Sequence, residues 1–213
     1  MLKPHIEILD ENRKKLLPLL AKLPKGGVLG GGTALALQIG HRVSYDFDFF
    51  FAKPIPKNWL VKLKALFGSN LSRVIVDSPD ELTVSIKPDI KLTLLYYPFQ
   101  PLGKPVKWQN LSLMKLDDIA SSKAYAVGRR GAWRDYADLY FLLRDHIRLS
   151  DVIKQAERRF KGVFDARLFL EQLIYDGDLD DQAVQFTGDV VKKKEIMNFL
   201  NGTVADYVRV LKK

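Results

Sequence analysis

Along the first half of the chain the apolar positions switch between helical and alternating spacing. Residues 6–23 set Ile8, Leu9, Leu16, Leu17, Leu19, Leu20 and Leu23 on an approximate helical stripe. Pro18 inside that stripe predicts a kink or two shorter pieces, and Pro24-Lys25-Gly26-Gly27 ends it. Val28-Leu29 reads as a short strand entering a glycine-rich turn, followed by a helix over 33–39 with Gly40 as its C-cap. Over 45–51 the spacing becomes two. Phe47, Phe49 and Phe51 fall on one side of that strand and Asp46 and Asp48 on the other, the aspartate Cα atoms roughly 6.5–7 Å apart. Pro54 and Pro56 close the strand, and 59–67 returns to helical spacing. Residues 73–77, 82–87 and 90–97 read as three short strands joined by polar turns.

From Leu113 onward the pattern is helical, with separate candidates over 115–130, 134–145, 151–159 and 165–175 and one or two more over 192–212. No repeat or low-complexity tract interrupts it. The predicted class is α+β: a small mixed sheet carrying helices over 1–110, then a helical region over 111–213. Residues 104–110 read as a short connection between the two.

Composition narrows the setting only in part. At 213 residues the chain makes one large domain or two small ones. The net charge of +9 points to an anionic partner, with nucleic acid first and an acidic protein second, or to no more than a basic solvated surface. The absence of cysteine excludes disulfides and thiolate metal sites. No apolar run approaches the roughly 20 residues that span a bilayer, and the N-terminal residues lack a basic-then-apolar signal pattern. The expectation is a cytoplasmic protein with no membrane partner.

Three groups of residues carry candidate chemistry. Gly31-Gly32-Thr33 opens a helix, where bare backbone lets a phosphate approach the helix N-terminus and Thr33 adds a hydroxyl. A plain strand-to-helix turn reads the same way, and the triplet is neither a Walker A loop nor a dinucleotide fingerprint. Asp46 and Asp48 form the second group. Aspartate is a poor strand former and the surrounding phenylalanines are too apolar for a solvated edge, so a bound Mg²⁺ or Mn²⁺ accounts for the pair better than solvent does. Just upstream, Arg42 and Ser44 leave two readings open: Arg42 neutralises a triphosphate, or it pairs with an aspartate. The third group is Lys123 and Arg130, at i and i+7, with Asp135 and Asp138 at i and i+3 on the next helix. Together with Arg129, these residues read first as an ion-pair network between two helices and second as a phosphate-binding cationic face. The scattered His5, His41 and His146 offer no metal-ligand spacing. Of the aromatics, Trp133 beside Arg134 is the one kept as a nucleic-acid contact.

The strings GGTALALQIGHRVSYDFDFF and KAYAVGRRGAWRDYADLYFLL together resemble the AbiEii/AbiGii toxin family, nucleotidyltransferase-like proteins of the DNA polymerase β superfamily. Four pieces occur in the family's order between residue 25 and about residue 145: Gly31-Gly32-Thr33; Arg42, Ser44, Asp46 and Asp48; Lys123; and Arg134, Asp135, Asp138 and Leu139. The resemblance implies a small nucleotidyltransferase core whose helical C-terminal region completes the active-site cleft. It also implies transfer of NMP from an NTP to a hydroxyl of RNA, tRNA ends included, or of protein, by the toxin of a toxin–antitoxin pair, with an antitoxin as partner. By that analogy Asp46 and Asp48 hold Mg²⁺ or Mn²⁺, the Gly-Gly-Thr turn with Arg42, Ser44 and Arg130 holds the nucleotide, and Lys123 binds phosphates. Asp135 or Asp138 assists the acceptor hydroxyl. One departure stands out. The third carboxylate of such sites belongs on the strand around 90–95, which here offers Lys91 and Thr93, with Asp89 at its start as the reserve candidate. The alternative is therefore a catalytically degenerate member that binds nucleic acid or an antitoxin.

Overall fold

A computed structural model describes residues 3–177, 179–180 and 183–212. It divides into two compact units, Met1–Lys115 and Leu116–Lys213.

The first unit is built on a seven-stranded mixed sheet. A 3-10 turn over Ile6–Ile8 leads into α1 (Glu11–Leu20), whose N-terminus is capped by the Asp10 carboxylate accepting from the Arg13 N–H. The expected break is therefore present, but it falls at this cap. Pro18 lies in the last turn and the helix carries it to Leu20. Then follow β1 (Val28–Leu29), α2 (Gly31–Ile39), β2 (Phe47–Phe51), α3 (Trp59–Phe67), β3 (Leu71–Asp77), β4 (Glu81–Ile86) and β5 (Ile90–Tyr96). Two strands absent from the sequence reading follow: β6 (Val106–Trp108) within the stretch read as a connection, and β7 (Leu111–Leu113) at the start of the region read as helical. They form a hairpin about Gln109, which takes a positive φ of 49°, and each is too short to show a period.

The strand order is β3-β4-β5-β2-β1-β7-β6. β2 runs parallel to β5 and antiparallel to β1, so the aspartate-bearing strand lies inside the sheet. Its orientation follows from burial. Phe47, Phe49 and Phe51 are nearly inaccessible, each worth about 1.5–3 kcal/mol of burial. Turning the strand over would lose that and bury carboxylates instead.

The second unit is helical among its described residues: α4 (Leu116–Val127), α5 (Trp133–Asp145), α6 (Leu149–Arg159), α7 (Ala166–Leu173) and α8 (Lys193–Leu211). α4 and α6 are joined by a buried arginine. Arg159 Nη1 donates to the Asp118 carbonyl at 2.6 Å and to Ser122 Oγ at 2.8 Å. α8 is a single helix where one or two were expected. No described helix is long and apolar enough to cross a membrane.

Candidate active site

The glycine turn is a steric device for two charged side chains. Gly31, the first residue of α2, has φ +63°, in the left-handed region where other residues are strained. A Cβ there would also lie 3.0 Å from Asp48 Oδ2. On the next residue a Cβ would collide with the Arg42 guanidinium. The Asp48 carboxylate and the Arg42 cation thus both rest on the bare backbone of one Gly-Gly pair at the start of α2. Gly30 ties this turn to β2 by donating its N–H to the Asp48 carbonyl at 2.9 Å.

Thr33 and Ser44 are buried, and their hydroxyls bond each other at 2.6 Å. Thr33 Oγ1 also donates to the carbonyl of Asp46. Within the protein these hydroxyls fasten the segment carrying Asp46 to α2. That differs from the hydroxyl-on-phosphate role expected of Thr33, because both groups face inward. Arg42 is buried too, with Nη1 donating to the Val43 carbonyl at 3.0 Å.

Asp46 lies one residue ahead of β2, so the strand begins two residues later than expected. Its side chain is 36% exposed, and Lys91 Nζ stands 3.9 Å from Oδ2. Register explains the encounter. Asp48 is opposite Thr93 on β5, so the residue two before Thr93 falls beside the residue two before Asp48. The strand position nearest the acidic pair is therefore held by a cation and a buried threonine. Asp89 is exposed in the turn before β5, and its carbonyl accepts from Arg13.

In the second unit, Lys123 is a buried cation of α4. Its Nζ lies 2.7 Å from Asp135 Oδ1 and 2.5 Å from Asp138 Oδ2, both on the first turns of α5. Arg130 closes the other side of Asp135, with Nε at 2.9 Å and Nη2 at 2.8 Å from Oδ2. The four predicted residues do meet. One correction concerns their geometry: Arg130 does not share a helical face with Lys123. α4 ends at Val127, and the chain turns back through N–H groups of Arg129 and Arg130 that both donate to the Ala126 carbonyl. The guanidinium, 63% exposed, reaches Asp135 from outside the helix.

Two supporting residues escaped the sequence reading. Arg13 on α1 donates Nε to the Tyr45 carbonyl at 2.6 Å, bracing the backbone next to Asp46. Asp180 accepts the Trp133 N–H at 3.1 Å, capping α5 beside the Lys123 cluster. Both act over more than thirty residues of sequence separation, so no local spacing announces them.

The donor set of Asp46 and Asp48 fits Mg²⁺ or Mn²⁺. Both are hard carboxylate oxygens, and no cluster of three or more acidic, histidine or cysteine ligands occurs among the described residues. Mg²⁺ is commonly held in this way, by one or two carboxylates with substrate phosphates and waters completing its shell.

Comparison with known proteins bears on the family and the fold. An uncharacterized protein of Aquifex aeolicus is 29% identical over 184 residues, which is 84% of this chain and 87% of that one. A candidate nucleotidyltransferase of Helicobacter pylori superposes with a TM-score of 0.60 at 23% identity, covering 96% of this chain and 98% of its own. MenT4, a nucleotidyltransferase toxin of Mycobacterium tuberculosis, gives a TM-score of 0.61 at 18% identity, covering 92% of this chain and 82% of its own. At such identities these structures speak for the fold, which is that of a nucleotidyltransferase. The family model described as nucleotidyl transferase AbiEii toxin, type IV toxin–antitoxin system, matches residues 20–196, and the chain belongs to that family.

Proposed function

We propose that this protein is a metal-dependent nucleotidyltransferase toxin that moves NMP from an NTP to a hydroxyl of RNA, tRNA among the candidates. The observation that carries the reading is the convergence on one Gly-Gly pair of the Asp48 carboxylate, the Arg42 cation and the start of α2. Backbone N–H groups at that helix start favour an anion, and Arg42 adds positive charge beside them. Asp46 and Asp48 would hold Mg²⁺ or Mn²⁺, which when bound supplies charge neutralisation on the transferring phosphate.

In the reaction the acceptor hydroxyl oxygen attacks the α-phosphorus and the bond to the β-phosphate oxygen breaks. Pyrophosphate leaves and the hydroxyl proton passes to water. Lys123 would bind phosphate oxygens, and Asp135 would orient it, since both carboxylate oxygens of Asp135 already accept from cations. Asp138, fully buried against the same ammonium, would fix its position. This family's chemistry depends mainly on positioning and electrostatics, so buried and pre-paired cations suit it.

A second reading, a non-catalytic binder of nucleic acid or of an antitoxin, draws on one observation: Lys91 and Thr93 stand on the neighbouring strand where a third carboxylate would be expected. The test is incubation with Mg²⁺ and each labelled NTP, with and without total RNA, beside an Asp46→Ala/Asp48→Ala control. Label on RNA that disappears in the control supports the transferase and names its nucleotide. Label on protein moves the acceptor to a protein hydroxyl. RNA binding without transfer under any NTP leaves the binder in its place.

A further inference from the structure

α3 is apolar almost all round, a composition that belongs to a helix covered on more than one side. One side is covered: Trp59, Leu63 and Phe67 are buried. The other is not. Val61 is 67% exposed and Ala65, one turn on, is exposed as well. Beside this second strip the chain leaving α1 forms the far wall of a groove of about 640 Å³, comparable with the roughly 300–1,000 Å³ of ligand-binding clefts. Its floor is aliphatic, with Leu23, Leu63 and Leu66. Its rim carries Lys22, Lys25 and Lys62, and none of the lining residues is a carboxylate. These three ammoniums have no ion-pair partner among the described residues.

We infer that this groove is the docking site for an acidic amphipathic helix of a partner protein, with apolar side chains at i, i+4 and i+7 entering the groove and carboxylates meeting the three lysines. Charge complementarity selects the occupant. A second copy of this chain, itself at +9, would bring lysine rims together. Single-stranded nucleic acid would meet lysines but no ring to stack on, because the floor is aliphatic. A lipid surface calls for a protruding apolar face, and this one is recessed. The inference goes beyond the transfer reaction and does not depend on it.

The probe is a fluorescein-labelled helical peptide of about 16 residues, about four and a half turns, with leucines at those spacings and glutamates on the flanks. Its anisotropy is followed on titration with the full chain. Saturable binding is expected, weakened at least about tenfold in Lys22→Glu/Lys62→Glu and in Leu66→Asp. A Lys104→Glu/Lys161→Glu control, with the same change in net charge, should bind as wild type does. Thermal melts establish that each variant is folded. Absence of saturable binding overturns the proposal. So does equal binding by a scrambled peptide of the same composition, or by the groove variants. Leu66→Asp abolishing self-association, RNA binding or flotation with anionic vesicles would assign the face to that occupant and overturn it too. All of these readouts are independent of NTP transfer, so a chain inactive on NTP still decides the matter.

Discussion

Lys123→Met separates what the buried ion cluster does for the fold from what it does for chemistry. Lys123 and Arg130 face Asp135 and Asp138, two cations against two anions. Methionine keeps the length of the side chain but removes the ammonium 2.5 Å from Asp138, a fully buried carboxylate. Removing one partner of such a pair typically costs about 3–5 kcal/mol, because the other charge stays buried. For a chain of this size each kcal/mol lowers the melting midpoint by about 2–4 °C, so a fall of about 6–20 °C is expected. Asp135 still has Arg130, and Asp138→Asn replaces the fully buried carboxylate by a neutral group of similar shape. Lys123→Met/Asp138→Asn should then recover at least half of the lost midpoint while NTP transfer stays absent. Scanning calorimetry and the labelled-NTP assay read the two effects separately. A single variant that loses less than about 1 kcal/mol, or a double variant no more stable than the single, would refute the placement of Asp138 against Lys123.

Gly31→Ala forces a left-handed conformation on alanine, about 1–2 kcal/mol, and sets a Cβ against the Asp48 carboxylate. A midpoint drop of about 2–8 °C should accompany loss of transfer out of proportion to stability, measured on protein shown to be folded. Thr33→Val removes the donor to the Asp46 carbonyl and the acceptor of the Ser44 hydroxyl, costing about 1–3 kcal/mol. Transfer at saturating NTP should fall with it, and Ser44→Ala should reproduce part of the effect. Hydrogen bonding from Arg144 holds the Asp145 carboxyl below its ordinary value of 3.8. A lowered carboxylate stabilises the fold above the unfolded value and stops doing so as pH falls through the folded one. The midpoint difference between wild type and Arg144→Met should therefore be present at about pH 5 and shrink below 3.8, modestly, since both side chains are about 40% exposed. Finally, Mn²⁺ should bind weakly without nucleotide and several-fold more tightly with NTP present, by electron paramagnetic resonance titration. Equal binding in both conditions would contradict a site in which Lys91 and Arg42 offset the charges of Asp46 and Asp48.

Legibility followed range. Gly40 as the αL cap of α2, the alternation of Phe47, Phe49 and Phe51 against Asp48, and the bounds of α3 all came from residues within one turn or one pleat of each other. What short spacing could not reveal was what reaches across the chain. Thr33 looked like a phosphate ligand because its neighbours are glycines, yet Ser44 and the Asp46 carbonyl take its hydroxyl from eleven and thirteen residues away. Arg130 looked like a helical partner of Lys123 until Gly128 and the Ala126 carbonyl turned the chain back. Arg13 and Asp180 hold the segments around Asp46 and Trp133 from elements the motifs do not touch. The β6–β7 hairpin is set by pairing with β1, and three-residue strands carry too few positions to display a period.

The lysine on β5 makes a chemical difference that the motif does not state. A third carboxylate beside Asp46 and Asp48 would give three negative charges, enough to draw two divalent ions before any substrate arrives. With Lys91 3.9 Å from Asp46 and Arg42 on the same Gly-Gly pair as Asp48, two anions stand near two cations. At that distance a unit pair interacts with about 1 kcal/mol even in water, and the cationic lysine also repels a divalent ion approaching Asp46. Free metal therefore gains little at this strand. On the proposed reading, an NTP arriving with its metal would bring phosphate oxygens that both cations would attract, while Asp46 and Asp48 would offer the metal carboxylate oxygens. The same two cations that would weaken binding of a bare ion would strengthen binding of the proposed metal–triphosphate complex. On this reasoning, replacing the third acid by lysine shifts the site from holding metal in advance toward admitting metal and substrate together.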